Sequence, residues 1–436
     1  MATTRQRKPK SAPAQAAQTS MLIEPPPALT GKPVRQGLYG NGHTGVEFLM
    51  RDIPSTKLAV TFSPYGHLDI SKPGFAEDFL LERGYDVLTL KCNVNNWFQD
   101  MSADVLKSIM ERLPVYEQVV TYGTNMGGYA AIYFSEAVGA QTCVAISPEI
   151  SIDPAVPPSD PRWAHDAARI KFTHEPLDAI LARNKTITYV IFDPHTLDKG
   201  HADLLVQASN DVVPISVPHA GHPADMALAE TGLLSIAFDN LVQGIVPDLE
   251  SGLRRRRTNS PSYLNAMALR CLEKGRSKTA EGLLAAAYKI TDRPDIQLSY
   301  SRVLLQNSKP QQARDVLEKV WPLLQNDTHL IAYRAHLQHL TGDIESALKS
   351  FDGAIRKQPE FLPFYQGERA MFRQVIRDYE NEKRLRDAAL ARARAELALR
   401  DGETGHLSRA MTIGIVAVPV LIVGILIAVS ITFQLV

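Results

Sequence analysis

The stretch Gly123-Thr124-Asn125-Met126-Gly127-Gly128 lies between the β-branched run "QVVTY" and the small, apolar run "YAAIYFSEAVG". A strand that enters a glycine-punctuated turn and leaves as a helix holds the middle residue of G-x-x-x-G exposed and strained, and a serine there serves as nucleophile in acyl transfer. Here the middle residue is Asn125. Its carboxamide has no hydroxyl to deprotonate, and its nitrogen lone pair is delocalised into the carbonyl, so no acyl-enzyme forms on it. A site that loses its nucleophile keeps only about 10³–10⁴ over water from its oxyanion donors and binding. Conversion of Asn125 to aspartate, or its use to orient a water, would restore chemistry, but no residue pattern favours either route.

Six runs are expected to form the strands around this turn: "KLAVTFSP" from Lys57, "YDVLTLKC" from Tyr85, "QVVTYG" from Gln118, "CVAIS" from Cys143, "ITYVIFD" from Ile187 and "VVPISVP" from Val212. They alternate with amphipathic stretches over residues 35–245, the pattern of a mostly parallel α/β sheet with flanking helices. Residues 1–34 are basic and rich in Pro and Ala, and read as a disordered tail without a secretory core. Residues 246–260, with Arg254 to Arg257 before a Ser/Pro cluster, read as a basic solvated linker whose available partner is an anionic membrane surface.

From residue 261 to 365 the periodicity is helical and repeats. Gly275, Lys309 and Gly342 hold equivalent turn positions, and Ala280, Ala313 and Ala347 follow them, at spacings of 34 and 33 residues. Residues 366–408 carry Ala, Leu, Glu and Arg with few breakers, which predicts a long charged helix. Residues 411–436 contain no charge and predict a single transmembrane helix, long enough for a hydrocarbon core of about 30 Å. Arg400 and Arg409 precede it, so the soluble domains are expected on the cytoplasmic side of a membrane, in a bacterium the inner one.

The 436-residue length predicts two or three domains, and 45% hydrophobic with 22% charged residues is a folded composition. Lysine plus arginine equals aspartate plus glutamate, at 47 each, which argues against a nucleic-acid partner. Cys92, Cys143 and Cys271 lie far apart, and neither they nor the loop bearing His195, Asp198 and His201 show metal-site spacing; no cofactor is expected.

With strand, elbow and helix in this order, and the run Met126-Gly127-Gly128-Tyr129-Ala130, residues 35–245 resemble the α/β-hydrolase superfamily with serine replaced by asparagine. The resemblance covers about half the chain. It implies a nucleophile, acid, base order, with Asn125 in the first place. The acid follows "TYVIFD" and is Asp198, or Asp193 as the alternative; the base follows "VVPISV" and is His222, or His219. The oxyanion donors implied are the N–H of Met126 and one from "SPYGH", at Tyr65 or Gly66. The segment "AYRAHLQHLTGDIESALKSFDGAIRKQPE" resembles a tetratricopeptide repeat and implies a protein partner. The combination of "GGYAA", "SPE" followed by "ISID", the acid loop and the helical repeats is similar to bacterial hydrolase-like proteins of surface-polysaccharide processes, and implies an acyl or carbohydrate ligand. Three functions follow as expectations: a pseudohydrolase that binds or scaffolds, an esterase or deacylase of unorthodox mechanism, and a tetratricopeptide adaptor.

Overall fold

The computed structural model describes residues 31–357, Pro359 and 373–403. An eight-stranded sheet forms its centre: β1 (Val34–Gly40), β2 (Thr44–Met50), β3 (Lys57–Phe62), β4 (Asp86–Cys92), β5 (Gln118–Thr124), β6 (Thr142–Ile146), β7 (Ile187–Phe192) and β8 (Val212–Ser216). The strand order is β1-β2-β4-β3-β5-β6-β7-β8. Only β1 with β2, and β2 with β4, pair antiparallel; β4 to β8 are parallel throughout. The arrangement is an α/β-hydrolase-like fold with a mostly parallel sheet.

Burial on both faces explains why the central strands read as unbroken apolar runs: all seven residues of β4 are buried. On one face Phe62 stacks on Phe134 at 5.8 Å and meets Phe98 edge-on at 5.7 Å. On the other, Tyr122 packs against Phe238 and Phe75, with ring centroids at 5.0 and 5.1 Å. Burying each such ring contributes about 2–3 kcal/mol, and together they anchor the end of β3 on one face and of β5 on the other. β1 and β2 were not among the expected strands. β1 is the sheet's edge, largely exposed, so it lacks the apolar run that marks a buried strand.

The basic segment after the sheet is ordered differently from a solvated linker. Leu249–Arg256 is a helix whose Leu249 and Leu253 join the second core face, which leaves Arg254 to Arg257 exposed. Ser260 then caps the helix Pro261–Glu273, its hydroxyl accepting from Tyr263 N–H, with Pro261 in the first turn. Helices Ser277–Tyr288, Pro294–Gln306, Pro310–Leu324, Thr328–Leu340 and Ile344–Lys357 follow, joined by short turns. Gly275 and Gly342 make two of these turns with φ of 69° and 81°; near Lys309 the left-handed residue is Ser308, at 59°.

Two compact units divide the chain, Met1–Val316 and Leu317–Val436. In the first, Glu230 gathers Ser260 Oγ (2.6 Å), Ser262 N–H (3.0 Å), Ser262 Oγ–H (2.9 Å) and Arg293 Nη1 (2.6 Å), tying the sheet domain to the helices that follow it. In the second, Ala335, Ala347 and Phe351 form a small core with Ile331 and Ala332, and Arg373–Glu403 is one helix. Among the described residues no helix is long and apolar enough to cross a membrane, and the expected span 411–436 lies outside them. The tail 1–30 lies outside them as well.

Candidate active site

β5 ends in the elbow. Asn125 has φ 52° and ψ −124°, a backbone conformation that L side chains rarely adopt, and the helix Met126–Tyr133 starts directly after it. Two glycines permit the turn: a Cβ on Gly123 would lie 2.1 Å from Gly127 O, and one on Gly127 would lie 2.6 Å from Phe62 O. Asn125 N–H donates to Ile146 O at 2.9 Å, which seats the turn on β6.

The side chain of Asn125 makes two short hydrogen bonds. Met126 N–H donates to its Oδ1 at 2.5 Å, so that end is the carbonyl oxygen. The NH₂ end therefore faces His222 Nε2, at 2.6 Å. His222 must accept there, and this network assigns its proton to Nδ1, which lies 2.8 Å from Asp198 Oδ1 and 2.9 Å from Oδ2. Asp198 opens the helix Asp198–Ala208 and also meets Arg162 Nη1 at 2.9 Å. Burial alone would raise the Asp198 carboxyl, but His222 and Arg162 hold it below the ordinary carboxylate value. Arg162 is itself clamped by Asp160, which also faces the buried His201 at 3.2 Å.

The structure thus brings Asn125, Met126, Asp198 and His222 together. Asp193 and His219 stand elsewhere. Asp193 is buried, and its two oxygens accept from His195 N–H and Gly221 N–H, both at 2.9 Å, clasping the two loops beneath His222. His219 packs its ring 4.7 Å from His195 and 5.6 Å from Tyr263. Gly66 is corrected as an oxyanion donor, because its N–H is committed to Asn95 Oδ1 at 2.9 Å. Tyr65 lays its ring 4.8 Å from Trp163 and 5.9 Å from Trp97, with its hydroxyl donating to Asp166 Oδ2 at 3.1 Å.

One residue the sequence reading passed over completes the site. Glu149 follows β6, is only 1% exposed, and places Oε1 3.9 Å from His222 Nε2. Trp97 Nε1–H donates to its Oε2 at 3.4 Å, while Oε1 has no hydrogen-bond partner among the described residues. Burial pushes this carboxyl up to about 7, Asp198 adding to the rise and His222 opposing it. Its position just beyond a strand's carboxyl end, where open α/β sheets place ligands, and its place in the run "SPE" are the signals that marked it. Arg162 and Trp163 come from the segment between β6 and β7, which carries no periodic pattern. Among the described residues no cluster of His, Cys, Asp and Glu is arranged to hold a metal ion.

Chemically, the arrangement is saturated from within. The base's lone pair and the Met126 N–H are the two groups an acyl substrate needs, and both are occupied by the same carboxamide.

No family model matches this chain, and no curated protein matches it. Among solved structures it is similar to the capsule O-acetyltransferase of Neisseria meningitidis serogroup A, at 14% identity over 48% of this chain and 94% of that one, with a TM-score of 0.34. A predicted CIB-like hydrolase from Thermoplasma acidophilum aligns over 48% of this chain and 98% of its own, at 14% identity and a TM-score of 0.31. An esterase from Pyrococcus furiosus aligns over 50% of this chain and 93% of its own, at 13% identity and a TM-score of 0.35. These likenesses are distant and assign no reaction to this chain.

Proposed function

We propose that this chain is a hydrolase-like protein that does no covalent chemistry at its elbow and acts as a ligand-binding or scaffold protein, a pseudohydrolase. The observation that carries this is the Asn125 carboxamide, which caps His222 Nε2 at 2.6 Å and Met126 N–H at 2.5 Å. A nucleophile-less site that were merely damaged would leave base and donor open; here each has a partner of matching polarity. The retained strain at Asn125 and the retained His222–Asp198 pair fit a pocket kept for recognition. In the same reading the tetratricopeptide-like helices of residues 261–365 take a protein partner. Residues 411–436 hold the protein on the cytoplasmic face of a membrane, and the ligand is an acyl or carbohydrate compound of envelope or surface-polysaccharide processes. This wider setting rests on the sequence pattern.

Asn125→Ser tests it. The full chain is expected to resist labelling by a fluorophosphonate, whereas the serine variant, with His222 and Asp198 already poised, is expected to label covalently. Turnover of p-nitrophenyl acetate by the unaltered protein that disappears in Asn125→Ala would overturn the proposal.

A further inference from the structure

A second space lies apart from the elbow, a cavity of about 470 Å³, within the roughly 300–1,000 Å³ typical of small-molecule pockets. None of Asn125, Met126, Asp198 and His222 lines it. Ile150, Ile152, Phe172 and Leu204 give it an apolar wall, to which Trp97 and Tyr129 add two aromatic rings. Such a wall holds the apolar body of a ligand, and the charged groups around it decide the head.

Those charges are of one sign. No lysine or arginine lines the cavity, whereas Asp153, Glu175 and Asp178 do. Arg183 neutralises Glu175 from outside the wall, at 2.7 Å. Asp153 and Asp178 accept neutral backbone N–H groups, of Ala155 and Ala179, both at 2.9 Å, and among the described residues neither has a cationic partner. His174 supplies no counter-charge. Burial holds its imidazole below the ordinary value; its Nε2–H donates to Met101 O at 2.9 Å, and its bare Nδ1 accepts from Tyr129 O–H at 3.0 Å. Two unneutralised carboxylates beside aromatic rings attract a cation and repel an anion.

We propose that this cavity binds an organic cation, its ammonium group at the border formed by Asp153 and Asp178 and its alkyl chain against Ile150, Ile152 and Leu204. The carboxylates select the charge, and the aromatic rings add the attraction of their π-systems for an ammonium. The aliphatic wall contributes affinity in proportion to the chain it covers. An alkylated ammonium suits the place better than an alkali cation, whose tightly held hydration shell an apolar wall cannot replace. The site needs no nucleophile and works independently of the elbow.

The test uses the full chain in a nonionic amphipol with Trp163→Phe and Trp321→Phe, which leaves Trp97 as the only tryptophan. Three bromoalkanes of equal chain length then differ only in the head: 6-bromohexyl-trimethylammonium, 6-bromohexan-1-ol and 6-bromohexanoate. The cation is expected to quench Trp97 saturably, the alcohol to bind about tenfold more weakly, and the carboxylate more weakly still. The double variant Asp153→Asn, Asp178→Asn, which changes only border side chains, is expected to bring the cation down to the alcohol's affinity and leave the alcohol unchanged. Ala208→Phe, which sets a ring into the lined space, is expected to weaken cation and alcohol alike. Linear quenching without saturation, or saturation untouched by Ala208→Phe, overturns the cavity assignment. Equal affinity for cation and alcohol, or a preference for the cation that survives the double variant, overturns the assignment of its ligand.

Discussion

Replacing Glu149 by glutamine is expected to stabilise this protein by an amount that grows as pH rises from about 4.5 to about 7. Burial raises the carboxyl from 4.5 to about 7 in the folded chain. Between those values the folded state binds a proton that the unfolded state has released, so stability falls as pH rises through this window. The contribution is fully present below about 4.5 and lost above about 7. The distance from 4.5 to about 7, at about 1.36 kcal/mol per tenfold change in proton affinity, sets the size at about 3 kcal/mol. Glutamine keeps an oxygen for Trp97 Nε1–H and never ionises. Its advantage should be near zero at pH 4.5 and approach about 3 kcal/mol at pH 8, on the order of 6 °C in melting temperature. Asp198 and Asp160, both held below the ordinary carboxylate value, push the other way but act equally in both proteins, so they cancel in the difference. Paired urea or thermal denaturation at the two pH values is the assay. A variant that is less stable than the parent at pH 8 would mean that Glu149 works as a paired carboxylate, and would refute the reasoning from burial.

Two further substitutions probe the frame around the site. Gly127→Ala drives a methyl to 2.6 Å from Phe62 O, a backbone atom that cannot swing aside, and is expected to cost more than about 3 kcal/mol in urea denaturation; a loss below about 1 kcal/mol would show that the elbow yields. Glu230→Ala removes the acceptor of four hydrogen bonds and is expected to cost about 2–4 kcal/mol, with amide exchange rising together in residues 225–230 and 261–306. Faster exchange confined to residues 225–230 would refute the tie.

The strands β3 to β8 and the elbow were legible because their signals are local. Buried β-branched runs mark the strands, and the glycines at 123 and 127 mark a turn that no side chain tolerates. The resemblance implies Asp198, or Asp193 as the alternative, and the structure brings the former to His222 while the latter clasps a loop. Edge strand β1 was missed because Val34 and its neighbours face water. Gly66 was assigned to the site because its loop is in the right place, but its N–H is taken by Asn95, a residue 29 positions away that no local pattern links to it. Glu149 is the largest omission. A glutamate reads as surface, and its burial arises only when Trp97 and His222, from two other loops, close around it. Arg254 to Arg257 were read correctly as exposed, yet the leucines beside them belong to the core.

The knot at Glu230 has a practical corollary for dissecting this chain. A fragment stopped at Ser260 would strip the carboxylate of its Ser262 and Arg293 donors and lay Tyr263's socket open to water, while the complementary piece would carry an arginine with half its clamp gone. Scissors guided by the arginine run would therefore yield two sticky halves. By the same token the helices Pro261–Glu273 and Pro294–Gln306 buttress the sheet domain, and neither can be exchanged without loosening it.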